Sequence, residues 1–154
     1  MQLPGTPSPI LLSLLISAAL SLPSPTLAES GTVGSVKTAT GTASVRRGGV
    51  ELPAKPGLKL EAGDTLSTAP GASLGVILRD DSLLSLGPST TVAIEKFLFA
   101  PAAGKLGITA RILRGTMAYV TGIIGRLAPE SAAFVTPVAT IGIRGTHFAV
   151  RVAE

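Results

Sequence analysis

Few side chains in this sequence could act as nucleophiles, general bases or metal ligands. The 154 residues include one histidine, His147, and no cysteine. Thiolate catalysis, disulfides, zinc–thiolate sites and iron–sulfur clusters are therefore excluded, and a histidine-based metal site would need more than one histidine. A Ser–His–Asp triad would have to use His147, which we expect instead to be a partly exposed strand residue. We expect no catalytic residue, no cofactor and no metal.

Three aspartates are the remaining candidates for chemistry: Asp64, Asp80 and Asp81. Adjacent Asp80 and Asp81 could offer oxygens to calcium, but no Asp-x-Asp-x-Asp-Gly loop follows them. We predict that they cap a tight turn through their side chains, and that Asp64, which follows Gly63, does the same. Convergence of these carboxylates with Glu95 in space, as a hydrolase would need, stays an alternative.

The composition limits the class of protein before any element is placed. Hydrophobic residues make up 45% of the chain and charged residues 14%, which is too apolar for a disordered tail and too poor in charge for a coiled coil. Four Phe, one Tyr and no Trp argue against nucleic acid binding through stacked bases. The net charge of +4 is compatible with anionic envelope polymers, although scattered charges mainly favour solubility.

The N-terminal segment has the features of a secretory signal peptide. Residues 10–22 read ILLSLLISAALSL and precede Glu29, the first charged residue. A helix of these 13 residues spans roughly 20 Å, too short for a hydrocarbon core of ~30 Å. Thr26 and Ala28 place small residues at positions −3 and −1 of a cleavage site. We predict a helical signal peptide over 1–28, cleaved after Ala28, with no stable transmembrane span afterwards; the alternatives are an internal apolar core strand and an uncleaved anchor.

The rest of the chain predicts about ten short strands separated by Gly and Pro, and no helix. Alternation over 72–79 directs one set of side chains to a core: Leu74, Val76 and Leu78. Residues 97–107 are predicted to form a loop, and 108–113 and 116–121 to form two separate strands. The segment 146–152 is predicted to be a closing strand with Phe148 buried in the core.

Two arginine motifs stand beside glycines. Arg46 and Arg47 precede Gly48-Gly49, a two-residue hairpin signal; they could bind an anion, or keep an exposed tip soluble. An Arg-Gly-Thr triplet occurs at 114–116 and again at 144–146, a spacing that fits stacked rungs of a solenoid or chance. Because a guanidinium between apolar strands needs a partner, we interpret Arg144 as a structural corner, with ligand binding as the alternative.

Four segments resemble the FecR-type periplasmic domain. Residues 60–68 (LEAGDTLST) resemble its G-D-x-φ-x-T segment, and residues 76–87 (VILRDDSLLSLG) resemble the strand, turn and strand that follow, with Asp81 where glycine is usual. Residues 135–150 (VTPVATIGIRGTHFAV) are similar to the closing T-P-x-A-x-x-x-V-R-G-T-x-F-x-V, and Arg114-Gly115 resembles the mid-domain L-x-x-G segment. In order, these matches run from about Gly31 to Val152.

The resemblance implies an all-β domain over 29–154, a twisted β-solenoid or sandwich-like arrangement of short strands, located in the periplasm. It implies binding rather than catalysis, and six candidate binding residues: Asp64, Asp80, Asp81, Arg114, Arg144 and Thr146. The expected partner is an envelope protein or a cell-wall glycan, and not nucleic acid.

The family also includes iron-citrate sensor regulators, in which this domain is joined through a membrane helix to a cytoplasmic anti-sigma segment. Since the sequence shows no such segment ahead of the apolar run, we expect the protein not to be an anti-sigma factor itself. An accessory that docks a receptor signalling domain by strand addition is the alternative function, and an envelope hydrolase a weaker one.

Overall fold

The computed structural model describes Gly5 and residues 31–145 and 147–153. Apart from Gly5, the predicted signal peptide over 1–28 lies outside the described residues, as does Thr146. The described chain forms twelve strands: β1 (Thr32–Thr40), β2 (Ala43–Arg47), β3 (Val50–Pro53), β4 (Lys59–Glu61), β5 (Thr65–Thr68), β6 (Ser73–Leu78), β7 (Leu83–Leu86), β8 (Thr91–Ala100), β9 (Lys105–Val120), β10 (Ala132–Val135), β11 (Thr140–Gly142) and β12 (His147–Val152). Short helical turns are α1 (Ile123–Leu127) and two 3-10 turns at Pro101–Ala103 and Pro129–Ser131. The all-β prediction is confirmed.

The strands form one curled and almost entirely antiparallel sheet, in the order β3-β2-β5-β8-β9-β7-β6-β1-β4. The long strand β9 is shared: its first part pairs with β8 and its last part with β7. The other edge of β9 carries β10, in parallel, and then β12, antiparallel. β11 extends the sheet beyond β10. The sheet therefore has two halves, and β9 belongs to both.

The inward faces of both halves build one hydrophobic core. Leu74, Val76 and Leu78 of β6 are no more than 2% exposed, which confirms the predicted alternation. They belong to the same buried cluster as Leu66 of β5 and Val92 of β8, on the other half of the sheet. No helix in the described part of the chain is long and apolar enough to cross a membrane.

Gly115 allows β9 to change neighbours without ending. Its φ is +88°, in the left-handed region that glycine tolerates best. A Cβ there would lie 2.5 Å from the Cα of Thr90, so the backbones approach too closely for any side chain. The ladder slips at this point, with Thr91 opposite Arg114 and Val92 opposite Ile112, as in a β-bulge.

Several sequence expectations about the elements are wrong. The predicted loop over 97–107 is a hairpin made by β8, a 3-10 turn and β9, because half-buried Phe97 and Phe99 pack against the core. The two strands predicted over 108–113 and 116–121 are the single strand β9. Strand β1 and the helix α1 were not predicted. The hairpin signal at Gly48-Gly49 is confirmed by the pairing of β2 with β3.

Candidate functional site

The carboxylate of Asp64 is fully buried and is held by a guanidinium. Asp64 follows Gly63 in the turn between β4 and β5. Arg47 Nε donates to Oδ1 at 2.8 Å, and Arg47 Nη2 donates to Oδ2 at 2.7 Å. The backbone N–H of Glu61 donates to Oδ2 at 2.9 Å, which is the predicted turn cap. The bond with Asp64 is the main cause that raises the pKa of Arg47, and the charged state of the guanidinium is therefore secured.

Arg47 also joins the two halves of the sheet. It lies on β2 in one half, and it donates to the Glu61 carboxylate and to the Lys59 carbonyl, both of β4 in the other half, each at 2.8 Å. We call these four residues the Arg47 clasp: Arg47, Lys59, Glu61 and Asp64. The sequence predicted anion binding or solubility for Arg47 and did not predict that it joins β2 to β4. The alternation of side chains along the strand could have indicated this role, since Arg47 shares the inward face of β2 with buried Val45.

Asp80 is the second fully buried carboxylate, in the turn between β6 and β7. Its Oδ1 accepts the N–H of Ser82 at 3.2 Å, and its Oδ2 accepts the Ser82 hydroxyl at 2.7 Å. Oδ2 also accepts the N–H of Ile124 in α1 at 3.2 Å. The Ser82 oxygen accepts the N–H of Gly122 at 3.0 Å and lies 2.7 Å from the Tyr119 hydroxyl. Because Ser82 gives its one proton to Asp80, Tyr119 is the donor to Ser82.

Burial is the main cause that raises the pKa of Tyr119, and the negative charge of Asp80 adds to it, while the hydrogen bond with Ser82 acts in the opposite direction. The network therefore holds Tyr119 as a neutral donor. Asp81, in contrast, is exposed and has φ +63°. This is the conformation for which glycine would be usual, and it agrees with the predicted tight turn. The predicted cap by the Asp81 side chain is wrong, because within the described residues the Asp80 carboxylate bonds this turn and the Asp81 carboxylate accepts no hydrogen bond.

The threonine of the G-D-x-φ-x-T segment is also part of the framework. The hydroxyl of Thr68 donates to the Gly87 carbonyl at 2.6 Å and accepts the N–H of Thr90 at 2.9 Å. Arg114 lies near this junction on the exposed face of β9, where its Nε donates to the Thr91 hydroxyl at 3.2 Å. The buried members of this motif thus stabilise turns and strand pairs.

The structure does not bring the candidate carboxylates together. Asp64 contacts the Arg47 clasp, and Asp80 contacts Ser82 and α1. Glu95 pairs with Arg111 on the exposed face of the β8–β9 ladder. Within residues 31–145 and 147–153, no three His, Asp or Glu side chains are grouped so that they could hold a metal ion.

Residues 71–75 read GASLG and match the Gly-x-Ser-x-Gly pattern of serine hydrolases, which makes Ser73 a further candidate nucleophile. The segment is a turn leading into β6, not a turn between a strand and a helix, and Ser73 pairs with Thr40. His147 lies on β12, and β9 and β7 separate that strand from β6. Three strand spacings place Ser73 and His147 roughly 14 Å apart or more, too far for a catalytic pair.

The side of the sheet formed by β11 and β12 is open. In the described chain β11 pairs with β10 alone and β12 with β9 alone. Between the two strands lie adjoining cavities of 220 and 470 Å³, which share Ile141 and Val150 as lining residues. Arg144 lines the first cavity and Arg151 the second. We call this region the edge cleft; its half-buried apolar side chains are Ile141, Phe148, Val150 and Val152.

Arg144 does not have the paired environment expected of a structural corner. The residue is exposed, and its guanidinium has no hydrogen bond or ion pair with the rest of the described chain. The loop is instead anchored through its backbone, because the Thr121 hydroxyl donates to the Gly145 carbonyl at 3.0 Å. The expected buried pairing of Arg144 is therefore wrong. The candidate Thr146 lies outside the described residues.

Fold and contacts together define an all-β domain in which Asp64, Asp80 and Thr68 stabilise the framework. The open side carries two exposed arginines, Arg144 and Arg151. A family comparison agrees with this description: residues 64–154 match the family described as FecR protein. The chain belongs to the FecR family. The match begins at Asp64, so β1 to β4 precede it. No curated protein and no solved structure matches the chain.

Proposed function

We propose that the protein is a non-catalytic binding or scaffold module of the cell envelope, formed by residues 29–154 after a signal peptide over 1–28 is removed. Membership of the FecR family supports a cell-envelope role related to signalling. The periplasm is the proposed location, supported by the apolar run at 10–22 and the small residues Thr26 and Ala28 ahead of Glu29.

The proposal rests on the positions of the charged side chains, since the carboxylates of Asp64 and Asp80 are buried and the arginines of the edge cleft are exposed. Asp64 and Asp80, the carboxylates that a hydrolase would need, are 0% exposed and bonded within the framework. The edge cleft instead offers exposed charged groups beside apolar ones, because Arg144 and Arg151 flank its half-buried aliphatic side chains. Apolar surface with a few charged groups at its margin suits recognition of a partner better than bond cleavage.

The test is capture of a partner from envelope extract by the immobilised 29–154 domain, with cross-linking and mass spectrometry. An envelope protein captured at near-stoichiometric yield, and absent from beads that carry the same domain in unfolded form, is the expected result. Parallel incubation with purified cell-wall glycan distinguishes the second partner class. Failure to capture either class would refute the proposal.

An accessory that docks the signalling domain of a receptor is the second candidate function, and the unpaired outer edge of β12 favours it. Capture of a receptor signalling domain would support it, whereas capture of glycan without protein would exclude it. A hydrolase is the weaker alternative. Asp81→Asn is its cleanest test because Asp81 is exposed, so an activity lost in this variant would not reflect unfolding.

A further inference from the structure

The strand β12 differs from the other edge strands of the sheet. β4 and β11 have 3 residues each, and β3 ends at Pro53. β12 has 6 residues without proline, and its register with β9 runs unbroken from His147 to Val152. Short length, proline and bulges are three of the usual protections of an edge strand against pairing with another chain, and charged side chains such as Arg151 are another. β12 has none of these three, so its outer edge is suited to accept a strand.

The side chains along this edge have an order that a partner could recognise. Phe148, Val150 and Val152 alternate toward the core and are half-buried, while Arg151 points to the outer face. Arg144 stands at the other end of the edge cleft.

Neither arginine is neutralised within the described chain, whose ion pairs join other residues: Arg47 with Glu61 and Asp64, and Arg111 with Glu95. Glu130 lines a neighbouring cavity with Arg144 but forms no ion pair with it. Among the described residues, the edge cleft therefore presents two positive charges without an ion pair around an apolar centre.

We propose that the edge cleft binds an extended acidic segment of a partner protein, which adds as a strand to β12. The proposal rests on the binding function proposed above and names its site and the chemistry of its partner. Alternate residues of β12 direct N–H and C=O groups away from β9, and its 6 residues offer an edge of about 20 Å. Aliphatic side chains of the added strand pack inward beside Val150, and its carboxylates lie on the outer face near Arg151 and Arg144.

Capped peptides with the repeats (Glu-Val)4 and (Lys-Val)4 are the probes, and fluorescence anisotropy at low ionic strength measures their binding. We expect the wild-type domain to bind the acidic peptide at least tenfold more tightly than the basic one. The double variant Arg144→Glu/Arg151→Glu should reverse this preference. Absence of wild-type binding, or a preference that survives the charge reversal, would overturn the proposal.

A matched control separates local recognition from net charge. Lys37 and Lys105 are exposed and do not line the edge cleft, so Lys37→Glu/Lys105→Glu makes the same change in net charge elsewhere. This variant should keep the acidic preference. Both double variants alter exposed side chains and should melt within roughly 2 °C of wild type. Equal loss of acidic-peptide binding in the two variants would show a general charge effect and contradict the proposal.

Backbone methylation tests whether the peptide adds as a strand. In an added strand only every second residue directs its N–H toward β12. Methylating the amides of all valines or of all glutamates should therefore have unequal effects, with a loss of at least tenfold for one set only. Equal effects would exclude strand addition.

The inference and the proposed function can fail separately. If the Arg144→Glu/Arg151→Glu variant still captures the envelope partner of the wild-type domain, the edge cleft is not the docking site, while the binding function stands. If the wild-type domain captures no partner at all, the proposed function itself is refuted.

Discussion

Replacing Arg47 by alanine should destabilise the domain by about 3 kcal/mol, because the change leaves a buried carboxylate without its partner. Asp64 is 0% exposed, and Arg47 supplies two of the hydrogen bonds that it accepts. Removal of one member of a buried ion pair typically costs ~3–5 kcal/mol. The lower end applies because the Arg47 side chain is 30% exposed, so water reaches part of the vacated space.

Urea denaturation followed by far-ultraviolet circular dichroism at neutral pH measures this loss. The midpoint should fall with little change in the slope m, since the surface exposed on unfolding is nearly the same. In a thermal melt the same loss corresponds to roughly 10–15 °C for a domain of this size. Arg46→Ala is the matched control: Arg46 is the exposed neighbour on the same strand, and its removal should change stability by no more than about 0.5 kcal/mol.

A double-mutant cycle identifies the cause of the loss. In an Asp64→Ala background no buried charge is left unpaired, because the remaining partner Glu61 is 33% exposed, and we expect Arg47→Ala to cost less than about 1 kcal/mol there. A cost below about 1 kcal/mol in the wild-type background would refute the reasoning. An equal cost in both backgrounds would assign the loss to packing of the Arg47 stem or to its bonds with Glu61 and Lys59.

Four further outcomes follow from the structure. Tyr119 is the one tyrosine of the chain, so ultraviolet absorbance reports its ionisation directly. Because burial raises the pKa of Tyr119 above 10, the unfolded state loses the tyrosine proton at a lower pH than the native state does. The free energy of unfolding should therefore fall as pH rises above about 10, and Tyr119→Phe should abolish that fall. Ordinary ionisation near pH 10 in the native state would contradict this. Phe148→Ala should lower the free energy of unfolding by about 2–3 kcal/mol, because Phe148 is half-buried and its ring lies 5.6 Å from that of Tyr119; a fully buried ring would cost ~3–5 kcal/mol. Truncation after Gly145 should prevent folding. A truncated protein that folds cooperatively would show that β12 is dispensable. Arg144→Ala should change the free energy of unfolding measured in urea by no more than about 0.5 kcal/mol, contrary to the destabilisation expected from sequence, and a loss of several kcal/mol would restore the structural role. N-terminal sequencing of the protein from envelope should find Glu29 first, and Met1 on most of the material would instead indicate a retained anchor.

The sequence predicted a strand correctly where apolar and other residues alternate without interruption along that strand. Leu74, Val76 and Leu78 alternate without interruption, so their common burial follows from the two-residue period of a strand. β1 lacks such a signal because one of its buried positions is Gly34, where a Cβ would lie 2.3 Å from the Ile77 carbonyl oxygen. Close approach of two backbones replaces an apolar side chain there, and hydropathy patterns do not register it.

The candidate site was harder to predict because its residue types are ambiguous. An aspartate after a glycine has the same local pattern whether it caps a turn, binds a ligand or pairs with an arginine. Asp64 does the first and the third, and its partner Arg47 lies 17 residues away on a strand whose neighbours are set by the curl of the whole sheet. Arg144 shows the reverse error, since its apolar neighbours in sequence suggested burial, yet the chain leaves the sheet at that point.

The two sides of the curled sheet use arginine in opposite ways. On the side closed by the Arg47 clasp, the Arg47 guanidinium is held by two carboxylates and a carbonyl. Its charge therefore stabilises the fold and is not available to a partner. On the open side, Arg144 and Arg151 pair with no carboxylate of the described residues, and the loop before β12 is held by the bond from Thr121 to a backbone carbonyl. Because a main-chain anchor leaves the guanidinium groups unoccupied, β12 can keep its position while both arginines bind a partner. An edge that is already paired with β9 along its length needs little further ordering of its backbone on association, which lowers the entropic cost of binding.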